Sequence, residues 1–239
     1  MEVLQIVWHL LHKIYNGVKD MDNLNLNNLL FDPNSFFREK SRKNVDLKYP
    51  VLIILVIAVF AIGSSFLVMN KFRGLLPSDL NSYMSATAIS IGIVGGLIGA
   101  FLNWFILAGI LYSISYVFDS KGSFSRTLEF VGYGYVPKIF SSLINVVVMY
   151  KLTASVDFSS QDSQLITQSI TQMFSNNPLF YTSQIIGILC LFLSAYIWIF
   201  ALSHARNMSI KNATITVCIP VGLVIVYQIY SFLFTSGSI

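Results

Sequence analysis

The chain has 239 residues, 55% of them hydrophobic and only 11% charged, where a soluble domain carries about 25% charged residues. Mean hydropathy is +0.68, the formal net charge is +4 and the pI is near 9.0. That balance excludes an ordinary soluble fold, which needs a charged shell, and a disordered chain, which needs low hydrophobicity; it describes an integral membrane protein.

Residues 1–20 are the first predicted element. At about 100° per residue, Glu2, Gln5, His9, His12, Lys13, Asn16, Lys19 and Asp20 gather in one polar arc, and Trp8 stands among the aliphatic residues that fill the rest. The pattern predicts an amphipathic helix that lies in the cytoplasmic headgroup region or packs onto a partner. His9, His12 and Lys13 interrupt the apolar stretch and no small-residue cleavage site follows, so it is not read as a signal peptide. His9 and His12 have i, i+3 spacing but no third ligand nearby, and are read as solvated rather than metal-binding.

Residues 21–49 form a cytoplasmic connector that ends in a basic run. Pro33, Phe36 and Phe37 precede Arg38, Lys40, Arg42 and Lys43. The two rings are expected to dip into the interface while the bases meet anionic lipid, worth about 1 kcal/mol per base near the surface; the bland alternative is a topology anchor.

Residues 50–234 carry the membrane domain. A hydrocarbon core of about 30 Å takes roughly 20 helical residues, and five spans of that order are predicted, at about 50–69, 86–118, 136–152, 184–203 and 213–234. The fold class is therefore all-α: a polytopic transmembrane helical bundle of five spans behind an interfacial helix. Pro50 suits the first turn of span one. Span two is too long for one straight crossing and must tilt, kink or project. Its Gly92, Gly95, Gly96 and Gly99 set small residues four apart, a face that lets another helix approach closely, either within the chain or in a homo-oligomer. Span three is the shortest, with Pro137 at its start and Lys138 able to reach headgroups. Between spans three and four, Leu165, Ile166, Ile170, Met173 and Phe174 share one side of a short predicted surface helix. Asn103, Asn145, Gln184 and Gln228 are intramembrane amides, each expected to hydrogen-bond across helices, with a polar transport path as the sharper reading.

Lys and Arg distribute twelve against three between the two sides, which predicts an inside N-terminus and, with five spans, an outside C-terminus. The bases thus follow sidedness, not a nucleic-acid patch. Cys190 and Cys218 both lie in apolar runs and are read as packing thiols. Zinc-protease, nucleotide-phosphate and dinucleotide motifs are missing, and no acid or base lies deep in a span. No catalytic, cofactor or metal residue is assigned.

Pro33, Phe36 and Phe37 before span one, Gly122-Ser123-Phe124, and Gly132-Tyr133-Gly134-Tyr135-Val136-Pro137 opening span three resemble the Yip family, the Ypt-interacting five-span membrane proteins. The resemblance covers roughly residues 30 to 234 and is most specific over 118–140. It implies a five-span membrane domain and, in eukaryotic members, association with Rab GTPases and vesicle traffic. Where those members carry Asp-Leu-Tyr-Gly-Pro this chain has Leu30-Phe31-Asp32-Pro33, so Rab binding is not carried over and the chain is more similar to the prokaryotic branch. From the residues themselves, Gly132 and Gly134 are expected to allow unusual backbone angles, Tyr133 and Tyr135 to suit the interface and Pro137 to start a helix, forming either a re-entry turn or, with Arg126 and Lys138, a partner surface. The functional expectation is a non-enzymatic scaffold or adaptor in a prokaryotic cell membrane, whose cytoplasmic face meets lipid or a protein partner. The competing class is a transporter or channel subunit.

Overall fold

Polar residues mark where several helices begin. The computed structural model describes residues 26–73, 78–155 and 177–235; the helix expected over 1–20 and the one expected over 165–174 lie outside them. After α1 (Leu26–Phe31), Asp32 caps α2 (Pro33–Ser41): its Oδ1 accepts from the Ser35 amide at 3.1 Å, and Pro33 fills the first helical position, where no N–H is needed. These hydrogen bonds from Ser35 hold the Asp32 carboxyl below its ordinary range. Asp46 Oδ1 receives the Lys48 amide at 2.9 Å where α3 (Lys48–Arg73) starts. α4 (Ser78–Ser115) runs into a 3-10 turn, Tyr116–Phe118. Ser123 caps α5 (Phe124–Tyr133), accepting from the Arg126 amide at 3.2 Å. α6 (Val136–Ser155) follows, then α7 (Pro178–Ala205), capped by Asn177 with Pro178 next, and α8 (Ile210–Thr235).

Among the described residues every regular element is helical, and five helices are long and apolar enough to cross a membrane. They are Lys48–Asn70, Gly92–Phe118, Val136–Ala154, Pro178–Ala205 and Ile210–Ser231. The third has the lowest mean hydropathy, 1.2, in keeping with its shortness in the sequence. α4 resolves its excess length by projecting: its 38 residues extend about 57 Å, well past a 30 Å hydrocarbon layer. The fourth crossing starts at Pro178 rather than near Gln184, because Asn177 and Pro178 together make a strong helix start.

The five long helices close into a ring in which α3 contacts α4 and α6, α6 contacts α7, α7 contacts α8, and α8 returns to α4. The short α5 touches α3, α4 and α7 and caps one end of this ring, with α2 laid beside it against α7. The glycine face of α4 serves the ring at one position: a Cβ on Gly96 would come within 2.7 Å of Ile62 Cγ1 on α3, while Gly92, Gly95 and Gly99 face open space. Two amides bond between elements as expected. Asn145 Oδ1 receives the Ser64 hydroxyl at 3.3 Å, and Asn103 Oδ1 receives the Tyr135 hydroxyl at 2.8 Å.

Candidate functional site

α5 is amphipathic from end to end, and it is the piece the ring is built around. From Thr127 to Tyr133 each of its residues is buried. Two tryptophans grip it from opposite walls. Trp104 of α4 donates its indole N–H to the Leu128 carbonyl at 2.9 Å, and Trp198 of α7 donates to the Val131 carbonyl at 2.8 Å. A buried indole N–H needs an acceptor, so each tryptophan fixes both the depth and the rotation of α5.

The glycines of the Gly-Tyr-Gly-Tyr element belong to the same grip. A Cβ on Gly132 would stand 2.6 Å from Pro50 Cβ, and one on Gly134 would stand 2.1 Å from the Trp198 indole. Gly134 has φ −66°, an ordinary helical value, and Gly132 lies within α5, so the expectation of unusual backbone angles gives way to one of space. Glycine is needed here because a proline and an indole press directly on the backbone. The glycine that does need its freedom is Gly122, at φ +145°, where a Cβ would also strike the Ala205 carbonyl oxygen at 2.2 Å.

The aromatic residues of the sequence motif meet in the same place. Phe36 and Phe37 of α2 stand edge-on at 5.1 Å; Phe36 packs on Tyr133 at 5.3 Å, and Phe37 packs on Phe130 at 4.9 Å. Pro33, Phe36, Phe37, Gly132, Tyr133, Gly134, Tyr135 and Pro137 are all buried, so these residues form the inside of the platform rather than its face. Their rings meet protein, where the sequence suggested a lipid interface. Burial drives this exchange: the two phenylalanines find an aromatic surface on α5 that a headgroup layer does not offer.

Two ionic features hold the platform. Glu129 is fully buried, with Arg126 donating to its Oε2 at 2.8 Å, while the same guanidinium reaches the carbonyls of Lys40 in the last turn of α2 and of Lys43 just after it. Burial pushes the Glu129 carboxyl above its ordinary range against the pull of Arg126, and burial likewise pushes the Tyr133 phenol up. Arg206, between α7 and α8, is 1% exposed. It donates to the Ser115 hydroxyl at 2.8 Å and to the carbonyls of Ser120 and Gly122, and its guanidinium lies 4.2 and 4.7 Å from the ring centroids of Tyr112 and Tyr116. Five donors in a planar fork suit this task, which a lysine cannot perform. The Lys121 amide returns the contact by donating to the Arg206 carbonyl at 2.9 Å, so the two inner loops are pinned as a unit.

Sequence reasoning counted Arg126 and Arg206 as surface bases and did not single out Glu129. A carboxylate three residues after an arginine, inside an otherwise apolar segment, was the available signal. For Arg206 no local signal exists, because its acceptors lie more than eighty residues away in the chain. Around the platform, Arg38, Arg42, Lys43, Lys48, Lys121 and Lys211 are exposed at the same end of the bundle. Among the described residues no group of three or more His, Cys, Asp or Glu side chains comes together to hold a metal.

The chain is 32% identical over 142 residues to an uncharacterized protein of Methanocaldococcus jannaschii, a match that covers 59% of this chain and 98% of that one. No solved structure matches it. The family model for the Yip1 domain matches residues 27–232, which takes in α2, the α5 platform and all five long helices. The chain belongs to the Yip1 domain family of multi-pass membrane proteins.

Proposed function

We propose that this protein is a non-enzymatic scaffold or adaptor that organises protein partners or lipids at the cytoplasmic face of a prokaryotic cell membrane. The observation that carries this reading is a rigid frame with a basic rim. Arg38, Arg42, Lys43, Lys48, Lys121 and Lys211 surround a platform whose interior is closed by Phe37, Phe130, Tyr133 and the two indole hydrogen bonds. Bases held on a fixed frame present a constant pattern to an acidic partner or an anionic bilayer, at about 1 kcal/mol for each base near such a surface. The excess of Lys and Arg on this side supports a cytoplasmic orientation for it, with the C-terminus outside. The α5 cap also supports a scaffold over a pore, because a solute moving along the ring axis would meet buried tryptophan and phenylalanine at this end. A transporter or channel subunit is the second reading, and it draws on the polar side chains that line an intramembrane cavity, Asn103 and Gln228 among them.

A photo-crosslinking residue placed at Arg42 or Lys121 in native membranes should give a discrete protein adduct, whereas one at the half-exposed, membrane-facing Val147 should give lipid adducts only. Identical lipid-only products at all three positions, together with solute flux from reconstituted vesicles, would move the assignment to the transporter class.

A further inference from the structure

Beside the α5 cap, α4, α6, α7 and α8 leave a cavity of about 240 Å³. Tyr135, Lys138 and Trp198 stand at its platform end, Leu107, Leu191 and Val221 along its walls, and Gln228 at its far end. A second cavity of about 490 Å³ also touches Gln228 and continues between α7 and α8, walled by Phe180, Ile185, Ile188 and Tyr227. From Trp198 back to Gly187 the α7 wall of the first chamber is about 17 Å long, close to the hydrocarbon depth of one leaflet, and the second chamber carries the wall on to Phe180.

The chemistry along this groove is graded. At the platform end Lys138 sits in the first turn of α6, where a long side chain reaches the headgroup level. Among the described residues its ammonium has no carboxylate partner; the Tyr135 ring, 5.4 Å away, is its neighbour. The Ser141 hydroxyl lies one turn further along and donates to the Lys138 carbonyl at 3.1 Å, and the Tyr135 hydroxyl donates to Asn103 Oδ1. Past these groups the walls are mostly aliphatic and aromatic, with Ser194 in the first chamber and Gln184 and Ser231 in the second. At the waist, Gln228 Oε1 is buried without a hydrogen-bond partner among the described residues, so no bond to that oxygen holds the side chain across the passage. Pro220, inside α8, also lines the first chamber and cannot donate to the carbonyl of Thr216 four residues back, which leaves this wall more deformable than an unbroken helix.

We propose that this groove holds one acyl chain of an anionic phospholipid, with the phosphate beside Lys138 and Ser141, that chain along Leu107, Leu191 and Val221, and its end passing Gln228 into the second chamber, while the other chain stays in the surrounding bilayer or detergent. A cation without a carboxylate partner among the described residues, at headgroup depth, above a mostly apolar chamber about one leaflet long, fits that amphiphile at both ends. The site is separate from the basic rim of the platform and does not depend on the scaffold role.

Cys190 lines the first chamber and reports on its occupancy. In a Cys218→Ser background, the purified, delipidated full chain in detergent would be labelled with N-ethylmaleimide in the presence of phosphatidylglycerol, phosphatidylcholine of the same chains, glycerol phosphate or inorganic phosphate. Phosphatidylglycerol should slow Cys190 labelling at least five-fold, and the other three by less than two-fold. Lys138→Gln should remove the protection and Lys138→Arg should keep it. Gln228→Trp should weaken protection by long-chain but not by short-chain phosphatidylglycerol. Equal protection by phosphatidylcholine, or protection that survives Lys138→Gln, would overturn the proposal; equal protection by either free phosphate would show an anion site in place of a lipid site. If Lys138→Gln does not fold, the four-ligand comparison on the lysine-bearing protein still decides. Crosslinking from Arg42 and Lys121 in the Lys138→Gln protein should be unchanged, which separates failure of this site from failure of the scaffold reading.

Discussion

At the α5 end of the bundle Leu29, Phe37, Trp104, Phe130 and Tyr133 head one large buried cluster that reaches down to Ile57, Ile197 and Val221 of the long helices, whereas further along α6 the buried cluster shrinks to Val148 and Leu152, with Ile144, Met149 and Phe180 packed against it. The contrast follows from the two solvents. Between helices in lipid there is no hydrophobic drive, because a leucine is as well off against a lipid tail as against another leucine, so contact there depends on shape and a few hydrogen bonds. At the water-facing end, apolar burial contributes fully, and buried carbonyls must find donors. The platform uses both effects through aromatic stacking, two indole hydrogen bonds and two guanidinium clusters.

The sharpest way to break this contrast is to crowd the platform. Gly134→Ala should destabilise the protein by about 3 kcal/mol or more, since its Cβ would overlap the Trp198 indole, and loss of monodisperse protein on gel filtration would report it. Arg206→Leu comes next, at roughly 2–4 kcal/mol, because it leaves the carbonyls of Ser120 and Gly122 without a buried donor. Arg206→Lys should recover only part of that loss in a thermal melt in detergent. In the membrane half, Gly99→Ala should change stability by no more than about 1 kcal/mol, and in the stabilising direction, because its Cβ meets nothing and alanine is the better helix former. A Gly99→Ala loss as large as that of Gly134→Ala would erase the distinction between the two ends.

Acidity tests the same contrast through Glu129. Its folded-state pKa is raised above the unfolded value, so folding favours the protonated carboxyl, and stability declines as pH rises from about 4.5 through the raised value before levelling off. Glu129→Gln should flatten that decline, with Arg126 still held by the carbonyls of Lys40 and Lys43. Melting curves between pH 4 and 8 would show it; an unchanged slope would mean that another group sets the pH dependence.

Much of this architecture was legible in the chain. Runs of apolar residues about twenty long located the five crossings, since a bilayer of fixed thickness leaves little choice, and Pro50 and Pro137 marked helix starts correctly. The sequence also pointed to Phe36, Phe37 and the Gly-Tyr-Gly-Tyr element. Hidden from it was the direction in which they face. Aromatic residues beside lysine read equally well as an interface belt or as a water-side core, and only the partner surface on α5, ninety residues away, settles which. The roles of Gly132 and Gly134 were hidden for the same reason: a glycine chosen for its angle and one chosen for a neighbouring indole look alike until the neighbour is known. Arg206 follows suit, its acceptors being scattered over a loop two crossings earlier.

The hydrogen bond from Trp198 to Val131 also sets a schedule. α5 is synthesised long before the residue that fixes it, and Arg206, which pins the loop in front of α5, comes later still. At about 5–20 residues per second the ribosome needs on the order of several seconds to travel from Gly134 to Arg206. During that interval the segment waits on Phe36, Phe37 and Trp104 alone; the fourth crossing brings Trp198 to its other side, and the fifth closes the ring. Truncated chains that stop before Trp198 should therefore remain open to proteases at residues 119–135, and the full chain should become resistant there in one step.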